Sequence, residues 1–161
     1  MPIYYWLANL GFHENIKLEN LKIERVRAAK SLGVIIDEEL SWDSHIDYVA
    51  KKVSAAIGGM KLVRPSVNRE ILLIYNALVQ PFFDYCDVVW DSLSAGLATR
   101  LQRLQNRAGR IILRANYETR SEEVLKTLEW ENLSARRMKH KAIAMYKVLY
   151  ENAPKYLKDD I

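Results

Sequence analysis

Five arginines recur between residues 100 and 114 at intervals of three, four, three and four residues. On a helix, a rotation of about 100° per residue places all five within about 80° of arc, so their guanidinium groups form a row along one face. A guanidinium keeps its charge and donates two parallel hydrogen bonds to a phosphate. The spacing therefore predicts a phosphate-binding face made by Arg100, Arg103, Arg107, Arg110 and Arg114.

The sequence around this row supplies a core-facing stripe but no carboxylate. There is no acidic residue between Leu97 and Ala115, so no arginine has a partner one turn away on its own helix. We expect Gln102, Gln105 and Asn106 to add neutral contacts to a ligand. The adjoining apolar stripe consists of Leu97, Leu101, Leu104, Ala108 and Ile111. The alternative is a solvated basic face that forms salt bridges with Glu122, Glu123 or Glu129.

A second basic cluster follows at Arg136, Arg137 and Lys141, with Lys139 and His140 between them. It is less ordered by helical face than the first row, and we predict that it makes secondary phosphate contacts. Residues 100–147 contain 12 basic and 5 acidic residues, a net charge of +7, whereas the whole chain carries +4. Such an uneven distribution indicates one surface that attracts polyanions.

The amino-acid composition limits the classes of protein to which this chain can belong. A chain of 161 residues that is 50% apolar and 27% charged is typical of a globular domain with a sizeable core. Cys86 is the only cysteine, which excludes an intramolecular disulfide and favours the cytoplasm or the nucleus. No stretch approaches the roughly 20 apolar residues of a membrane span, so we expect no membrane association.

The patterns that must position these residues are mainly helical. Residues 16–36 alternate with period two around a turn at Glu19–Asn20, which predicts a hairpin plus a third strand, or a three-stranded sheet, with Gly33 inside a strand. From residue 41 onward apolar residues recur at helical spacing, with Phe82–Trp90 as the buried centre. The predicted fold class is mainly α, a helical bundle preceded by a small antiparallel β element. The expected N-caps are Ser41 or Asp43, Asn68, Ser121 and Asn132.

A series of motifs runs through the chain, beginning with Lys30–Asp37 (KSLGVIID), Leu40–Trp42 and His45–Ile46. It continues through Tyr75–Pro81, Phe83–Cys86, Trp90, Leu101–Ala108, Leu128–Trp130 and Arg136–Arg137. In order and spacing the series resembles the C-terminal region, comprising palm end, thumb and post-thumb, of the reverse transcriptase of non-LTR (LINE-type, jockey-like) retrotransposons. The resemblance covers roughly residues 16–158.

This resemblance implies three parts and a class of partner. Residues 1–15 are a poorly specified lead-in, residues 16–40 a residual palm-like β element, and residues 41–161 a thumb-like helical domain. A thumb grips the template–primer by its backbone, which implies RNA, DNA or an RNA–DNA hybrid as the partner and little sequence preference. An intact palm domain acting in trans is a further partner that the resemblance suggests.

The resemblance also implies that catalysis resides elsewhere. In the family, an aspartate on an early palm strand and a Tyr-x-Asp-Asp turn hold two Mg ions, and both motifs lie upstream of the region matched here. We therefore expect no catalytic residue, no metal site and no cofactor in this chain. The expected activity of the chain alone is binding without nucleotide incorporation.

Other residue types that carry chemistry are expected to be structural. The acidic run Phe83–Asp87 lies in an apolar segment, and the three histidines are too far apart in sequence for a zinc site. Trp42, Trp90 and Trp130 each adjoin apolar residues, which favours the core over base stacking. The alternative functions are a helical protein-interaction module and a non-functional transposon relic. Salt separates phosphate binding from apolar association, because only the first weakens steeply as salt rises.

Overall fold

The computed structural model describes residues 26–68 and 70–150, together with the backbone of residues 17–18 and 21–22. The chain divides into two compact units, Met1–His45 and Ile46–Ile161. The predicted fold class, mainly α with a small antiparallel β element, is confirmed. The described elements are β1 (Lys17–Leu18), β2 (Leu21–Lys22), β3 (Ala28–Ser31), β4 (Val34–Asp37), α1 (Asp43–Val63), α2 (Glu70–Leu78), α3 (Gln80–Asp84), α4 (Ala95–Leu113), α5 (Ser121–Thr127) and α6 (Leu133–Tyr150).

The described strands form two separate antiparallel hairpins. In the first, Leu18 pairs with Leu21, a register that leaves two residues between the strands as predicted, although Glu19–Asn20 themselves lie outside the described residues. In the second hairpin, Leu32 and Gly33 both have positive φ angles, of 45° and 88°. Two consecutive positive φ angles are typical of a type I′ turn, which reverses the chain. The prediction of a third strand running through Gly33 is therefore wrong.

The link between β4 and α1 is built around the carboxylate of Asp37. It accepts backbone hydrogen bonds from Glu39 at 3.1 Å and from Ser41 and Trp42 at 2.9 Å each. Burial acts to raise the pKa of Asp37, but these backbone donors outweigh it and hold the pKa below its ordinary value. Asp37 is the last residue of β4, and its side chain organises the turn that follows.

Helix α1 confirms the predicted apolar stripe. It runs through Gly58 and Gly59 to Val63, so the two glycines do not end it. Ser41 Oγ accepts a hydrogen bond from the backbone N–H of Asp43 at 3.4 Å, at the start of the helix. The buried residues of the stripe are Ile46, Val49, Val53, Ile57 and Met60.

A break at Val79 separates α2 from α3. Pro81 lies in the first turn of α3, where its missing N–H removes no helical hydrogen bond, so a new helix starts at this point. Tyr75 on α2 is buried, stacks on Trp130 with ring centroids 4.2 Å apart, and donates from its hydroxyl to Gln80 Oε1 at 2.7 Å. This contact fixes α3 relative to α2.

The segment Phe82–Trp90 is not the wholly buried centre that was predicted. Phe83 and Trp90 are buried, but Tyr85 and Val89 are 52% and 56% exposed. The reason is that the short helix α3 is followed by a run of turns, in which only every third or fourth residue is buried. Trp90 confirms the expectation of a core tryptophan, and its indole N–H donates to the backbone oxygen of Tyr85 at 2.9 Å.

The last two helices pack against α4. Gly109 of α4 faces Val124 of α5 so closely that a Cβ at position 109 would lie 2.6 Å from Val124 Cγ1. Asn132 Oδ1 accepts the backbone N–H of Ala135 at 2.8 Å, which confirms it as the N-terminal cap of α6. Ser121 is the first residue of α5 rather than its cap. Among the described residues, no helix combines the length and the apolar character that crossing a bilayer requires.

Candidate nucleic-acid interface

Helix α4 carries the predicted arginine row and is defined at both ends. Ser94 is its N-cap and accepts the backbone N–H of Leu97 on its side chain at 3.3 Å. At the other end Arg114 adopts the left-handed conformation, with φ of 55°, and its backbone N–H bonds back to the helix. The left-handed residue ends the helix one turn after Arg110, so the row lies on one rigid element.

The buried face of α4 is wider than the predicted apolar stripe. Leu101 and Ala108 are fully buried as expected, whereas Leu104 and Ile111 are only half-buried. Gln105 is 2% exposed, although its side chain is polar. The buried face of α4 therefore includes amide side chains as well as apolar ones, and the arginine row lies outside this face.

The amide residues of α4 bind the protein itself, and the expectation that they also contact a ligand stays a prediction. Gln102 Nε2 donates to Gln105 Oε1 at 2.7 Å and to Asn106 Oδ1 at 2.8 Å. Gln102 Oε1 accepts the backbone N–H of Leu133 at 2.9 Å, and Gln105 Nε2 donates to the backbone oxygen of Glu131 at 3.2 Å. These bonds attach the start of α6 to α4, because the backbone groups there need partners once they are removed from water.

The five arginines of the row fall into two groups. Arg100 pairs with Asp47 of α1, and both side chains are about half exposed. Arg110 is half-buried and Arg114 is exposed, and each donates to backbone oxygens of neighbouring turns. Arg103 and Arg107 are exposed and have no hydrogen-bond or ion-pair partner among residues 26–68 and 70–150. The middle of the row is thus open to an external anion.

Arg110 holds the loop that follows α4. Its Nε and one terminal nitrogen donate to the backbone oxygen of Thr119 at 3.2 and 2.9 Å, and the same terminal nitrogen donates to Ser121 Oγ at 3.1 Å. The guanidinium lies 5.7 Å from the ring centroid of Tyr117, at the distance of a cation–π contact. The second terminal nitrogen of Arg110 makes none of these bonds and keeps its donors.

A cavity of about 600 Å³ continues the arginine row at the C-terminal end of α4. We call it the basic cavity. None of the described residues that line it carries a carboxylate, whereas five carry a positive charge. The cationic residues are Lys61, Arg64, Arg107, Arg110 and Arg114. The remaining lining residues are Pro65, Ile111, Ala115 and Tyr117.

Arg64 makes this end of α4 compatible with an anion. Its side chain donates to the backbone oxygens of Ile111 at 3.0 Å, Ile112 at 2.8 Å and Val67 at 2.6 Å. Free carbonyls at the C-terminus of a helix repel anions. Because Arg64 binds two of them directly, the negative end of α4 is covered by a guanidinium, and the cavity wall is positive.

The second basic cluster is engaged with carboxylates of the protein. Arg136 forms a two-point contact with Asp84, at 2.7 and 2.8 Å, which raises the pKa of Arg136 above its ordinary value. Arg137, which is 4% exposed, and Lys141 both bind Asp91, at 2.7 Å each. The prediction that these three cations contact phosphate remains a prediction, and in the structure they tie α6 to the segment around Trp90.

Three possible metal ligands also meet between α3 and α6. One ligand atom each from Asp84, Asp87 and His140 lie within 4.8 Å of one another. His140 Nδ1 is 2.6 Å from Asp87 Oδ2, and Arg136 binds both oxygens of Asp84. Burial raises the pKa of Asp87, and the hydrogen bond with His140 opposes that rise. Both carboxylates in this cluster are therefore already bound by side chains of the protein.

Comparison with known proteins gives one informative similarity. Over 101 residues, 60% of this chain, the sequence is 24% identical to the "Probable RNA-directed DNA polymerase from transposon X-element" of Drosophila melanogaster. Those residues span only 11% of that protein's length. No family model and no solved structure matches the chain. The similarity supports a reverse-transcriptase-like origin for this chain.

The basic cavity contains residues that the sequence did not single out. Lys61 lies in the last turn of α1 and Arg64 directly follows that helix. Both reach α4 only through helix packing, because Arg64 and Ile111 are 47 positions apart. Tyr117 is 91% exposed and lies in the loop after α4. The only sequence signal for Lys61 and Arg64 is their position just before Pro65, a residue type that commonly ends a helix.

Proposed function

We propose that this chain is a piece of the reverse transcriptase of a non-LTR (LINE-type, jockey-like) retrotransposon, drawn from the palm end, the thumb and the region after it. Its proposed role is sequence-nonspecific binding of an RNA–DNA, RNA or DNA backbone. The similarity to the Drosophila transposon polymerase supports the origin. The observation that carries the binding role is the open arginine pair, Arg103 and Arg107, which leads into the basic cavity.

Phosphate binding follows from the charges on this surface. Arg103 and Arg107 are one helical turn apart on the same face, so their guanidinium groups can meet neighbouring phosphates of one strand. An external anion would relieve their mutual repulsion, since the described residues give them no carboxylate. Contacts to phosphate carry no base information, which gives binding without sequence preference.

The proposed role is binding rather than catalysis. The side chains on the basic surface are cations and carry none of the carboxylates that hold the two metal ions of a polymerase. The chain alone should therefore bind a primed template without extending it. Incorporation of labelled nucleotides by the purified chain would contradict this part of the proposal. The free thiol of Cys86 is consistent with the cytoplasm or the nucleus as the location.

A helical protein-interaction module is the second candidate, and the exposed apolar residues of α6 favour it. Tyr146 and Tyr150 are 58% and 74% exposed and lie with ring centroids 4.9 Å apart. Such residues on one helix present an apolar surface that a protein partner would cover. The other exposed apolar residues on this helix are Met138, Ile143, Met145 and Leu149.

The test is binding of a labelled RNA–DNA hybrid, measured by fluorescence anisotropy. The variant Arg103→Glu/Arg107→Glu should weaken binding at least about tenfold, because two phosphate contacts become repulsive. The matched control is Lys126→Glu/Lys147→Glu, which makes the same change in net charge at exposed positions of α5 and α6. If both variants lost the same amount of affinity, binding would depend only on the net charge of the chain, and the proposal would be contradicted.

A further inference from the structure

The rim of the basic cavity carries an aromatic ring that is held in place but almost uncovered. Tyr117 is 91% exposed, and the Arg110 guanidinium lies 5.7 Å from its ring centroid. The loop around it is closed by two backbone bonds, from Ala115 to Arg110 at 2.9 Å and from Thr119 to Asn116 at 3.1 Å. Arg110 also binds Thr119, so both ends of the loop are attached to α4. The ring is therefore presented to solvent by a fixed loop.

We propose that the basic cavity binds a single-stranded segment of nucleic acid, with phosphates against its cationic wall and an unpaired base stacked on Tyr117. The inference rests on the proposed function and deepens it, since it names the form of the strand at this end of α4. RNA and DNA share the chemistry that is recognised, which is a phosphodiester and a flat base. Duplex backbone remains the partner of the open pair, Arg103 and Arg107.

The cationic wall combines fixed donors with movable ones. Arg64 and Arg110 are held by backbone oxygens and still have unused N–H groups on their terminal nitrogens. Lys61 has no partner among the described residues and can move to the ligand. A phosphate entering the cavity thus meets groups that are already positioned and groups that can close on it.

The size of the cavity and the exposed ring favour a nucleotide over a bare phosphate. A volume of about 600 Å³ falls within the range of about 300–1,000 Å³ that is typical of sites for small organic ligands. An aromatic side chain beside a positive groove is the arrangement by which proteins bind single strands, because every base has a face that can stack. In a duplex those faces are covered by neighbouring bases, so Tyr117 would find no partner there.

The experiment compares labelled oligonucleotides of roughly eight nucleotides, oligo-dT and oligo-U, with a blunt RNA–DNA hybrid. Tyr117→Ala should weaken binding of both single strands about tenfold and leave the hybrid unchanged. Tyr117→Phe keeps the ring and should behave like the parent chain. Lys61→Glu should weaken the single strands more than the hybrid. Both positions are exposed, and matching thermal unfolding of all variants would show that they fold.

The outcomes separate this inference from the proposed function. If the hybrid binds through Arg103 and Arg107 but Tyr117→Ala leaves single-strand binding unchanged, the inference is wrong and the proposed function stands. Loss of hybrid and single-strand binding by the same factor in Tyr117→Ala would also contradict it, since the ring would then serve the duplex. If the parent chain binds the single strands but not the hybrid, the proposed duplex role fails instead. If Tyr117→Ala weakened binding of only one of oligo-dT and oligo-U, the shared recognition of RNA and DNA would be contradicted.

Discussion

The side chain of Arg137 is buried against Asp91, with its Nε 2.7 Å from Oδ1 of that carboxylate. Lys141 takes the other oxygen of Asp91 at 2.7 Å, and the Arg137 guanidinium lies 5.7 Å from the ring centroid of Trp90. One carboxylate on the segment after α3 therefore organises two cations of α6. Much of the charge that the sequence concentrates in α6 is used to hold the bundle together.

Replacing Asp91 with Asn should lower the free energy of unfolding by about 2–4 kcal/mol, because it leaves a charged Arg137 buried without its partner. Urea denaturation monitored by circular dichroism measures this change. Asp47→Asn is the matched control, because its pair with Arg100 is about half exposed and should contribute less than about 1 kcal/mol. Equal effects of the two substitutions would mean that Arg137 finds other partners.

Asp91 should also make stability depend on pH in the acid range. Burial acts to raise the pKa of Asp91, but the hydrogen bonds and charges of Lys141 and Arg137 outweigh it and lower the pKa below 3.8. The folded state therefore holds the carboxylate ionised more strongly than the unfolded state does. This stabilisation is complete above about pH 4–5 and is lost as the pH falls through the lowered pKa.

The check on this pH dependence is the difference in unfolding free energy between the parent chain and Asp91→Asn, measured from pH 7 to pH 2. The difference should stay constant at neutral pH and shrink at the acid end. A difference that does not change with pH would show that the effect of the substitution is steric rather than electrostatic.

The contact between α4 and α5 depends on the absence of a side chain at position 109. Gly109→Ala would place a methyl group 2.6 Å from Val124 Cγ1 and 3.2 Å from Leu128 Cδ1. The strain of about 1–3 kcal/mol should exceed the gain of about 1 kcal/mol in helix propensity, so the variant should be less stable. Thermal unfolding followed by circular dichroism measures the difference.

Gly58→Ala provides the opposite case on α1. Nothing lies within 4 Å of a Cβ built at Gly58, so only the helix propensity changes. This variant should be stabilised by roughly 0.5–1 kcal/mol. A stabilised Gly109→Ala together with a destabilised Gly58→Ala would contradict the packing described for α4 and α5.

Helical periodicity was enough to predict most of the fold. The stripe on α1 and the outward arginine row on α4 follow from spacing alone, because a helix repeats every 3.6 residues whatever it packs against. The glycine at position 33 was misread, since alternation of apolar residues looks the same for one strand and for two strands joined by a tight turn. The burial of Gln105 could not be predicted, because its amide donates to the backbone oxygen of Glu131, 26 positions away in the sequence.

Pairing between distant segments could not be predicted from the sequence. Arg136 and Asp84 are 52 positions apart, and no local sequence pattern indicates that the arginine forms a salt bridge within the protein. Likewise, the basic cavity needs the end of α1 beside the end of α4, and tertiary packing alone creates that arrangement. The sequence therefore identified the cations, and the structure separates those bound by the protein from the open pair, Arg103 and Arg107.

The central claim, that this pair binds phosphate, is tested most directly by the salt dependence of hybrid binding. The logarithm of the association constant should fall linearly with the logarithm of salt concentration, with a slope that reports the number of phosphates neutralised. Arg103→Gln and Arg107→Gln should each reduce that slope by about one, and Lys126→Gln, at an exposed position of α5, should not. A slope that is flat in the parent chain, or that neither substitution changes, would contradict the claim.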